Sequence, residues 1–430
     1  MKRKIGVVAA ATAALIVLAG CSPSAPADES ADGQDITMWV MGGDTPEALR
    51  DYLKTEYADA TGGTLTIEQQ DWADALSKLT TALPDAENTP DVTEIGNTWS
   101  PTFTTVGAFS DISDMYDELG GDKLLPSFVE VGSVDGAQFA LPYYFGSRYM
   151  FYRKDVWEKA GITVPTTLAE FNDAAAALKT DSQSGFYIGG EDWRNGVSWV
   201  FANGGELATK DGDTWTSTLS DEKTVEGLTQ LQTLFADASL APVTEADSTP
   251  WVNINNNETT GAPEAATIIA PGWAHWSIGD LAPDPEDATK TVATWNDATF
   301  GTFVLPGIDG GVAPVFAGGS NIAVSAASKN QDSAKELMRI IFSEEYQNLL
   351  GENGLGPANL DYAASLGDDQ FATALIESAA ESKLTPAAPG WAAVEGSGLL
   401  EEFFGKVNGG GDIPALAEEY DAKIDDLING

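Results

Sequence analysis

The chain has 430 residues, of which 43% are hydrophobic, so it is long enough for two domains that each bury an apolar core. Acidic residues number 66 against 22 Lys plus Arg, which gives a formal net charge of −44. A charge of that sign repels polyanions, so nucleic acid is excluded as a partner. The acids are spread without long blocks of one sign, which is typical of a highly soluble surface and not of an acidic tail.

The N-terminus has the pattern of an export signal over residues 1–20. Cations at positions 2–4 precede the apolar run Ile5–Leu18, which is too short for a comfortable membrane span. The stretch Leu18-Ala19-Gly20-Cys21 resembles the lipobox of bacterial lipoproteins, in which the cysteine is lipidated. Cys21 is the only cysteine, so the alternative is a chance residue after a cleaved signal. Residues 21–35 are rich in Ser, Ala, Pro, Asp and Gly, which predicts a flexible tether.

Strands and helices are predicted to alternate after the tether. Apolar, β-prone runs separated by helical patterns predict right-handed βαβ crossovers and a mostly parallel sheet. The predicted elements are a strand at 35–41, a helix at 46–57, a strand at 65–70, a helix at 72–83 and a strand at 91–96. In sheets of this kind, ligands lie beyond the carboxyl ends of the strands.

The later chain turns helical and then returns to β-type patterns. Helix-compatible patterns occur at 168–178, 222–238 and 276–281, and a short strand or a hairpin is predicted at 212–218. Runs of β type return at 299–305 and 321–325 before helices dominate to the C-terminus. A chain that crosses over and later returns implies two discontinuous lobes joined by a hinge. We place lobe 1 at 36–143 plus 294–345 and lobe 2 at 144–293 plus 346–430. No repeat of 20 to 50 residues is visible, which argues against a solenoid or propeller.

Polar and aromatic residues follow each of the first three predicted strands. These strand ends carry Asp44, Asp71 with Trp72, and Asn97 with Trp99, which are suited to hydrogen bonding and stacking. Asp44 has a second interpretation, because an acid at this position also caps the following helix. The strand ends therefore predict a ligand site, with the role of Asp44 divided between ligand and cap.

Several segments in order along the chain carry a family resemblance. They are the lipobox, ITMWVMGGD from residue 36, PDVTEIGNTWSPTFTTVGAFSDIS from 90, ALPYYFGSRYMFYRKDVWEKAGITVPTTLAEF from 140, GGSNIAVSAASKNQDSAKELMRIIFS from 318 and PAAPGWAAVE from 386. Together they resemble the extracellular solute-binding proteins (family 1) of ABC-type sugar importers, specifically the oligosaccharide-binding family of Gram-positive bacteria. The resemblance covers residues 18 to about 425.

The resemblance implies an α/β, two-lobed, periplasmic-binding-protein-like (type II-like) fold that closes on an oligosaccharide. It also implies an ABC permease as partner, a lipid anchor on Cys21 and a location on the extracellular face of the membrane. We expect a monomer, no cofactor and no metal.

Further candidate ligand residues come from this resemblance, for Trp273 and Trp391, and from the local sequence for the others. Sugars present apolar faces and hydroxyl groups, so a binding site needs flat aromatic platforms and planar polar groups. One of the adjacent pair Tyr143 and Tyr144 is expected to face the cleft, although the sequence does not say which. The other candidates are Trp193, Trp273, Trp276, Gly319, Ser320 and Trp391.

Two other classes of function remain as alternatives. A secreted glycoside hydrolase needs two carboxylates about 5 to 10 Å apart, and 66 acids do not exclude it. A lipoprotein for a non-sugar solute is the second alternative. His275 is the only histidine, so Ser-His-Asp, Cys-His and HExxH sites are not predicted. We assign His275 a packing or peripheral hydrogen-bonding role.

Overall fold

The structure is a computed structural model that describes residues 33–246, 249–257, 259–285, 287 and 289–430. The predicted export signal, Cys21 and all but the last residues of the predicted tether lie outside the described residues. Within the described ranges, no helix is both long and apolar enough to span a membrane.

Strands and helices alternate along the described chain. The strands are β1 Ile36–Met41, β2 Leu65–Gln70, β3 Val92–Gly96, β4 Ser133–Val134, β5 Ala137–Gln138, β6 Ala140–Gly146, β7 Arg148–Arg153, β8 Ala208–Asp211, β9 Thr214–Ser217, β10 Thr267–Pro271, β11 Asp280–Pro283, β12 Thr291–Thr294, β13 Phe300–Phe303, β14 Gly318–Val324 and β15 Gly356–Pro357. The α-helices are α1 Glu47–Thr61, α2 Trp72–Ala82, α3 Ser100–Thr105, α4 Pro126–Val131, α5 Lys154–Ala160, α6 Leu168–Leu178, α7 Trp193–Ala202, α8 Glu222–Ala238, α9 Trp251–Ile254, α10 Gln331–Ile341, α11 Glu344–Glu352, α12 Gln370–Ala380, α13 Trp391–Gly396, α14 Leu399–Asn408 and α15 Ile413–Ile428. Short 3-10 helices lie at Ser113–Met115, Gly121–Lys123, Gly272–Ser277 and Leu360–Leu366.

The larger sheet has six strands in the order β15-β6-β14-β3-β1-β2 and forms the centre of lobe 1. Strand β1 pairs in parallel with both β2 and β3, as the βαβ pattern predicts. Strand β14 returns late in the chain and pairs antiparallel with β3 and β6. The carboxyl ends of β1, β2 and β3 therefore lie at one edge of the sheet.

Apolar side chains cover both faces of this sheet. On one face, strand residues Met38, Val40 and Ile322 are buried with the helix residues Leu53 of α1 and Leu337 of α10. A second cluster on α2 and the neighbouring strands contains Met41, Leu79 and Ile95. Lobe 1 is thus a sheet with helices on both sides, which is the layered arrangement expected of α/β domains.

Lobe 2 contains the three-stranded antiparallel sheet β10-β7-β13 and most of the remaining helices. Its main core is formed by residues from α6, α7, α8, α13, α14 and α15, and it holds several fully buried aromatic side chains, among them Trp193, Trp199, Trp391 and Phe403. Because this core is formed mainly by helices, the second lobe is mainly helical.

The strand pairing departs from the predicted lobe boundaries at two points. Strand β13 at Phe300–Phe303 pairs with β7, so we assign residues 294–316 to lobe 2 and not to lobe 1. Strand β15 pairs with β6, so α11 and β15 lie with lobe 1 although they follow residue 345. A strand pattern does not state which sheet the strand joins, because that choice depends on partners distant in sequence.

Most predicted elements agree with the structure to within a few residues. The helix predicted at 276–281 is wrong, because Gly272–Ser277 is a short 3-10 helix and Asp280–Pro283 is a strand paired with Thr291–Thr294. Six residues are too few to distinguish a helical pattern from a β-hairpin by periodicity.

Candidate functional site

A cavity of about 500 Å³ lies between the two lobes, at the carboxyl ends of β1 and β3. Lobe 1 contributes the segments that follow these strands, and lobe 2 contributes the segment after β10 together with parts of α7 and α13. The lining residues include Asp44, Trp72, Asn97, Trp99, Tyr144, Gly319 and Ser320 from lobe 1, and Arg148, Arg194, Trp273, Trp276, Phe316 and Glu395 from lobe 2.

Asp44 is the centre of a hydrogen-bonded group on the lobe 1 side. Its Oδ2 accepts hydrogen bonds from the Trp72 indole N–H at 3.0 Å and from the Tyr144 hydroxyl at 3.0 Å. The helix that follows begins after Pro46 without a side-chain cap, so the capping interpretation of Asp44 is wrong. Among the described residues no hydrogen bond uses Oδ1 of Asp44, which leaves this oxygen for a solute donor.

Two glycines allow the close approach of these groups. Gly42 has φ 54°, and a Cβ there would lie 2.6 Å from the Trp72 ring. Gly319 has φ 133°, and a Cβ there would lie 2.5 Å from the Tyr144 carbonyl oxygen. Both positions need glycine, because other residues would be strained and would collide with the site.

Glu94 lies directly beneath this group and is fully buried. Its Oε2 accepts the Met41 backbone N–H at 2.8 Å, and its Oε1 lies 3.0 Å from the Tyr144 hydroxyl. Burial is the main cause that raises the pKa of Glu94 from its usual 4.5 to about 7, and the nearby charge of Asp44 adds to the rise. Glu94 is not among the residues predicted from the sequence, although an acid within an apolar strand is itself a signal.

Aromatic rings form flat surfaces on both sides of the cavity. Trp72 and Trp99 meet edge to face with centroids 5.6 Å apart on lobe 1. Trp273 and Trp276 on lobe 2 are 47% and 57% exposed, which is unusual for tryptophan. Trp273 is supported from behind by Trp251, at a centroid distance of 4.8 Å. These indole faces are available for stacking on an apolar surface of a ligand.

Charged groups of lobe 2 complete the lining, and none of them is among the residues predicted from the sequence. The Arg148 guanidinium donates to Asn195 at 2.8 Å and lies over the Phe316 ring at 4.7 Å. Arg194 donates to Glu395 at 2.5 Å. Fixed guanidinium groups of this kind present planar donors in a defined orientation.

The structure places four predicted ligand residues away from the cavity. Tyr143 is fully buried and bonds Tyr346 at 2.7 Å, so Tyr144 is the member of the pair that lines the cavity. Trp193 and Trp391 are 1% and 0% exposed and belong to the lobe 2 core. Asp71 accepts from the Ala73 backbone N–H and caps α2. A tryptophan beside a helix start is equally suited to core packing, which the sequence pattern does not separate from a ligand role.

His275 also packs instead of lining the cavity. Its ring stacks on Phe371 at 4.5 Å, and its Nδ1 lies 2.7 Å from the Gly272 carbonyl oxygen. Burial lowers the pKa of this imidazole. Within the described chain, no group of three or more potential metal ligands is present.

Two lobes joined by several chain crossings, with an aromatic and polar cavity between them, define a solute-binding receptor. The profile of the family described as bacterial extracellular solute-binding protein matches residues 53–377. The chain therefore belongs to this family, and the resemblance drawn from its sequence is confirmed.

Relatives and solved structures agree with this assignment. The diacetylchitobiose-binding protein DasA of Streptomyces coelicolor is 34% identical over 409 residues, which span 92% of this chain and 91% of DasA. The arabinooligosaccharide-binding protein of Bacillus subtilis is 22% identical over 347 residues, spanning 77% of this chain and 74% of that protein.

Solved structures confirm the two-lobed fold. The sugar-binding protein MalE of Xanthomonas citri has a TM-score of 0.76 at 20% identity, covering 92% of this chain and 97% of MalE. The GacH receptor of Streptomyces glaucescens has a TM-score of 0.71 at 21% identity, covering 92% of this chain and 98% of GacH.

Proposed function

We propose that this protein is the substrate-binding component of a carbohydrate ABC transporter, which captures an oligosaccharide between its lobes and delivers it to a membrane permease. The supporting observation is the cavity itself, where the partly buried Trp72 and Trp99 of lobe 1 and the exposed Trp273 and Trp276 of lobe 2 line the same space as a group of fixed polar side chains. Sugar rings offer an apolar face for stacking and hydroxyl groups at their edges, so they match both features. DasA and the arabinooligosaccharide-binding protein are named for sugar ligands, which supports the same class.

The two sides of the cavity have different roles in this proposal. Lobe 1 provides oriented acceptors and donors, with Asp44 fixed by Trp72 and Tyr144. Lobe 2 provides the exposed platforms Trp273 and Trp276. A sugar held by both sides would favour the closed arrangement of the lobes, and closure is the change that a permease recognises.

The protein binds its solute without converting it. The family assignment supports this, because the relatives in the comparison are named as binding proteins. Chromatography of each sugar before and after prolonged incubation with the protein tests the point. Appearance of shorter products would favour the glycoside hydrolase instead.

The remaining parts of the proposal concern attachment to the cell. We place the mature protein on the extracellular face of the membrane as a monomer, anchored by a lipid on Cys21. Mass spectrometry of the N-terminal peptide and release of a Cys21→Ser variant into the medium test the anchor. An unmodified Cys21 on membrane-bound protein would contradict it.

The binding test uses intrinsic tryptophan fluorescence and calorimetry with diacetylchitobiose, maltotetraose and an arabinooligosaccharide. We expect saturable binding of at least one sugar, accompanied by a higher melting temperature, because a ligand that binds only the folded state stabilises it. Trp273→Ala should weaken that binding. Trp215→Ala is the matched control, since Trp215 lies on the β9 hairpin and is absent from the cavity lining. No response to any sugar of the panel would contradict the proposed ligand class.

A further inference from the structure

The Tyr144 hydroxyl lies between two carboxyl groups at the floor of the cavity. Its oxygen is 3.0 Å from Oδ2 of Asp44 and 3.0 Å from Oε1 of Glu94. The Ser320 hydroxyl donates to the same oxygen at 3.3 Å. Tyr144 therefore has three polar neighbours within hydrogen-bond reach.

The number of available hydrogen atoms decides how these contacts are made. A phenol has one O–H donor and accepts with its lone pairs, so Tyr144 cannot donate to both carboxyl groups at once. If both acids were ionised, one carboxylate oxygen would face a lone pair of the phenol at hydrogen-bond distance. If one acid is protonated, it donates to Tyr144, and Tyr144 donates to the other.

The surroundings show which acid holds the proton. Oδ2 of Asp44 also accepts from the Trp72 indole N–H, which can only donate, so this oxygen is an unprotonated acceptor. Asp44 is partly exposed to the cavity, whereas Glu94 is 0% exposed. A buried carboxyl group avoids the cost of a desolvated charge by keeping its proton. Glu94 is thus the neutral member of the pair.

The neighbouring elements add no charge that reverses this assignment. Asp44, after β1, repels a negative charge on Glu94. Tyr143 on β6 and Tyr346 on α11 face the same interior, and burial raises the pKa of both phenols, so they stay neutral. The positive charge of Arg50 on α1 lowers the pKa of Tyr143, against the larger effect of burial. Burial keeps the pKa of Glu94 raised, because its effect is larger than that of the hydrogen bonds from Ser320 on β14, from the Met41 N–H and from Tyr144, which lower this pKa.

We propose that Glu94 is a proton-binding site coupled to the solute site, where the neutral carboxylic acid donates to Tyr144 and so keeps Asp44 oriented as an acceptor for a solute hydroxyl. Glu94 acts through its neighbours and is a positioning residue. The coupling to solute rests on the proposed function. Each group then has a partner: the second oxygen of Glu94 accepts the Met41 N–H, and Tyr144 donates to Asp44.

Loss of the Glu94 proton disrupts this arrangement of hydrogen bonds. An ionised Glu94 competes for the single hydrogen of Tyr144 and places a second negative charge below Asp44. Solute affinity should therefore fall as the pH rises through about 7, the pKa to which burial raises Glu94. Loss of the hydrogen bond from Tyr144 to Asp44 corresponds to about a tenfold loss of affinity.

Glu94→Gln tests the proposal because glutamine has the donor and acceptor arrangement of the neutral acid. Its carbonyl oxygen can accept the Met41 N–H, and its NH₂ can donate to Tyr144. The matched control is Asp59→Asn, an exposed residue of α1 with the same change of charge. Dissociation constants for diacetylchitobiose and maltotetraose are measured from pH 6 to pH 9 for all three proteins.

For the wild-type protein and Asp59→Asn, we expect about tenfold weaker binding at pH 9 than at pH 6. For Glu94→Gln, we expect the dissociation constant to be independent of pH and equal to that of the wild type at pH 6. Calorimetry in buffers of different ionisation enthalpy should show proton uptake on binding near pH 8, which needs only the wild-type protein. A flat wild-type profile, or a Glu94→Gln profile that still falls with pH, would overturn the proposal.

A ligand-free measurement separates this proposal from the proposed function. The infrared spectrum of the wild-type protein should show a protonated carboxylic acid at pH 6 that disappears with a midpoint near 7 and is absent in Glu94→Gln. A wild-type spectrum without this band overturns the proposal whether or not a sugar binds. A normal titration of Glu94 with no sugar of the three-member panel bound at any pH would contradict the proposed function and, with it, the coupling to solute.

Discussion

Trp273→Ala should remove much of the solute affinity and little of the stability. Trp273 is 47% exposed at the cavity wall, so much of this residue is accessible to a ligand before one binds. Trp391 is the contrasting residue, because it is 0% exposed within the lobe 2 core. The sequence proposes both tryptophans as ligand residues, and the structure separates them by burial.

The structure sets the expected size of each effect. The main protein contact of Trp273 is the edge-to-face pair with Trp251 at 4.8 Å, which is worth about 0.5 to 1.5 kcal/mol of stability. An aromatic anchor at a binding site typically costs at least about 2 kcal/mol of binding free energy when truncated, which is about thirtyfold in Kd. Trp391→Ala instead leaves a cavity in a packed core and should cost about 3 to 5 kcal/mol of unfolding free energy.

Calorimetric titration and urea unfolding of both variants measure the two effects separately. Titration is done below the unfolding transition, so that the Kd of Trp391→Ala reports the folded protein. An affinity loss below about threefold for Trp273→Ala, with its unfolding free energy unchanged, would refute the assignment of Trp273 as a platform. A loss of affinity in folded Trp391→Ala larger than in Trp273→Ala would refute the argument from burial.

Three further predictions concern the lobe 1 side of the cavity. Asp44→Asn should weaken solute binding about tenfold, because asparagine keeps one oxygen for Trp72 and Tyr144 but replaces the other, which is left for the solute, with an NH₂ donor. Asp71→Asn should leave the Kd unchanged, because asparagine also caps a helix. The free energy of unfolding should fall as the pH rises from about 4.5 to about 7, because the folded protein keeps the Glu94 proton that the unfolded chain releases. Glu94→Gln should remove this fall. In urea unfolding at pH 8, this variant should be about 3 kcal/mol more stable than the wild type. Gly319→Ala should lower both the melting temperature and the solute affinity, because position 319 has φ 133° and its Cβ would lie 2.5 Å from the Tyr144 carbonyl oxygen. A variant that melts and binds like the wild type would contradict the steric argument.

Local pattern determined most of the elements around the site. The strands β1, β2 and β3 and the helices between them agree with their predicted bounds to within a few residues. Each of these segments has an apolar periodicity that matches its own geometry, and each ends at a turn residue, a cap or a polar strand end. The strand ends predicted Asp44, Trp72, Asn97 and Trp99 as cavity residues, and all four line the cavity.

Long-range pairing determined what the sequence left open. Strand β13 joins β7, and β15 joins β6, and neither choice is written in the local pattern. Arg148, Arg194 and Glu395 reach the cavity only because the two lobes meet there. The spacing of these residues in the sequence does not indicate that they lie at the same cavity.

The adjacent pair Tyr143 and Tyr144 shows the same division. The sequence indicated that one of the two faces the cleft without indicating which. In the structure both lie on β6, where alternate side chains point to opposite faces. Tertiary structure decided which phenol enters the core beside Tyr346 and which one meets Asp44 and Glu94. The physical reason is that burial and hydrogen bonding depend on neighbours brought together by folding, whereas periodicity records only the local shape of the chain.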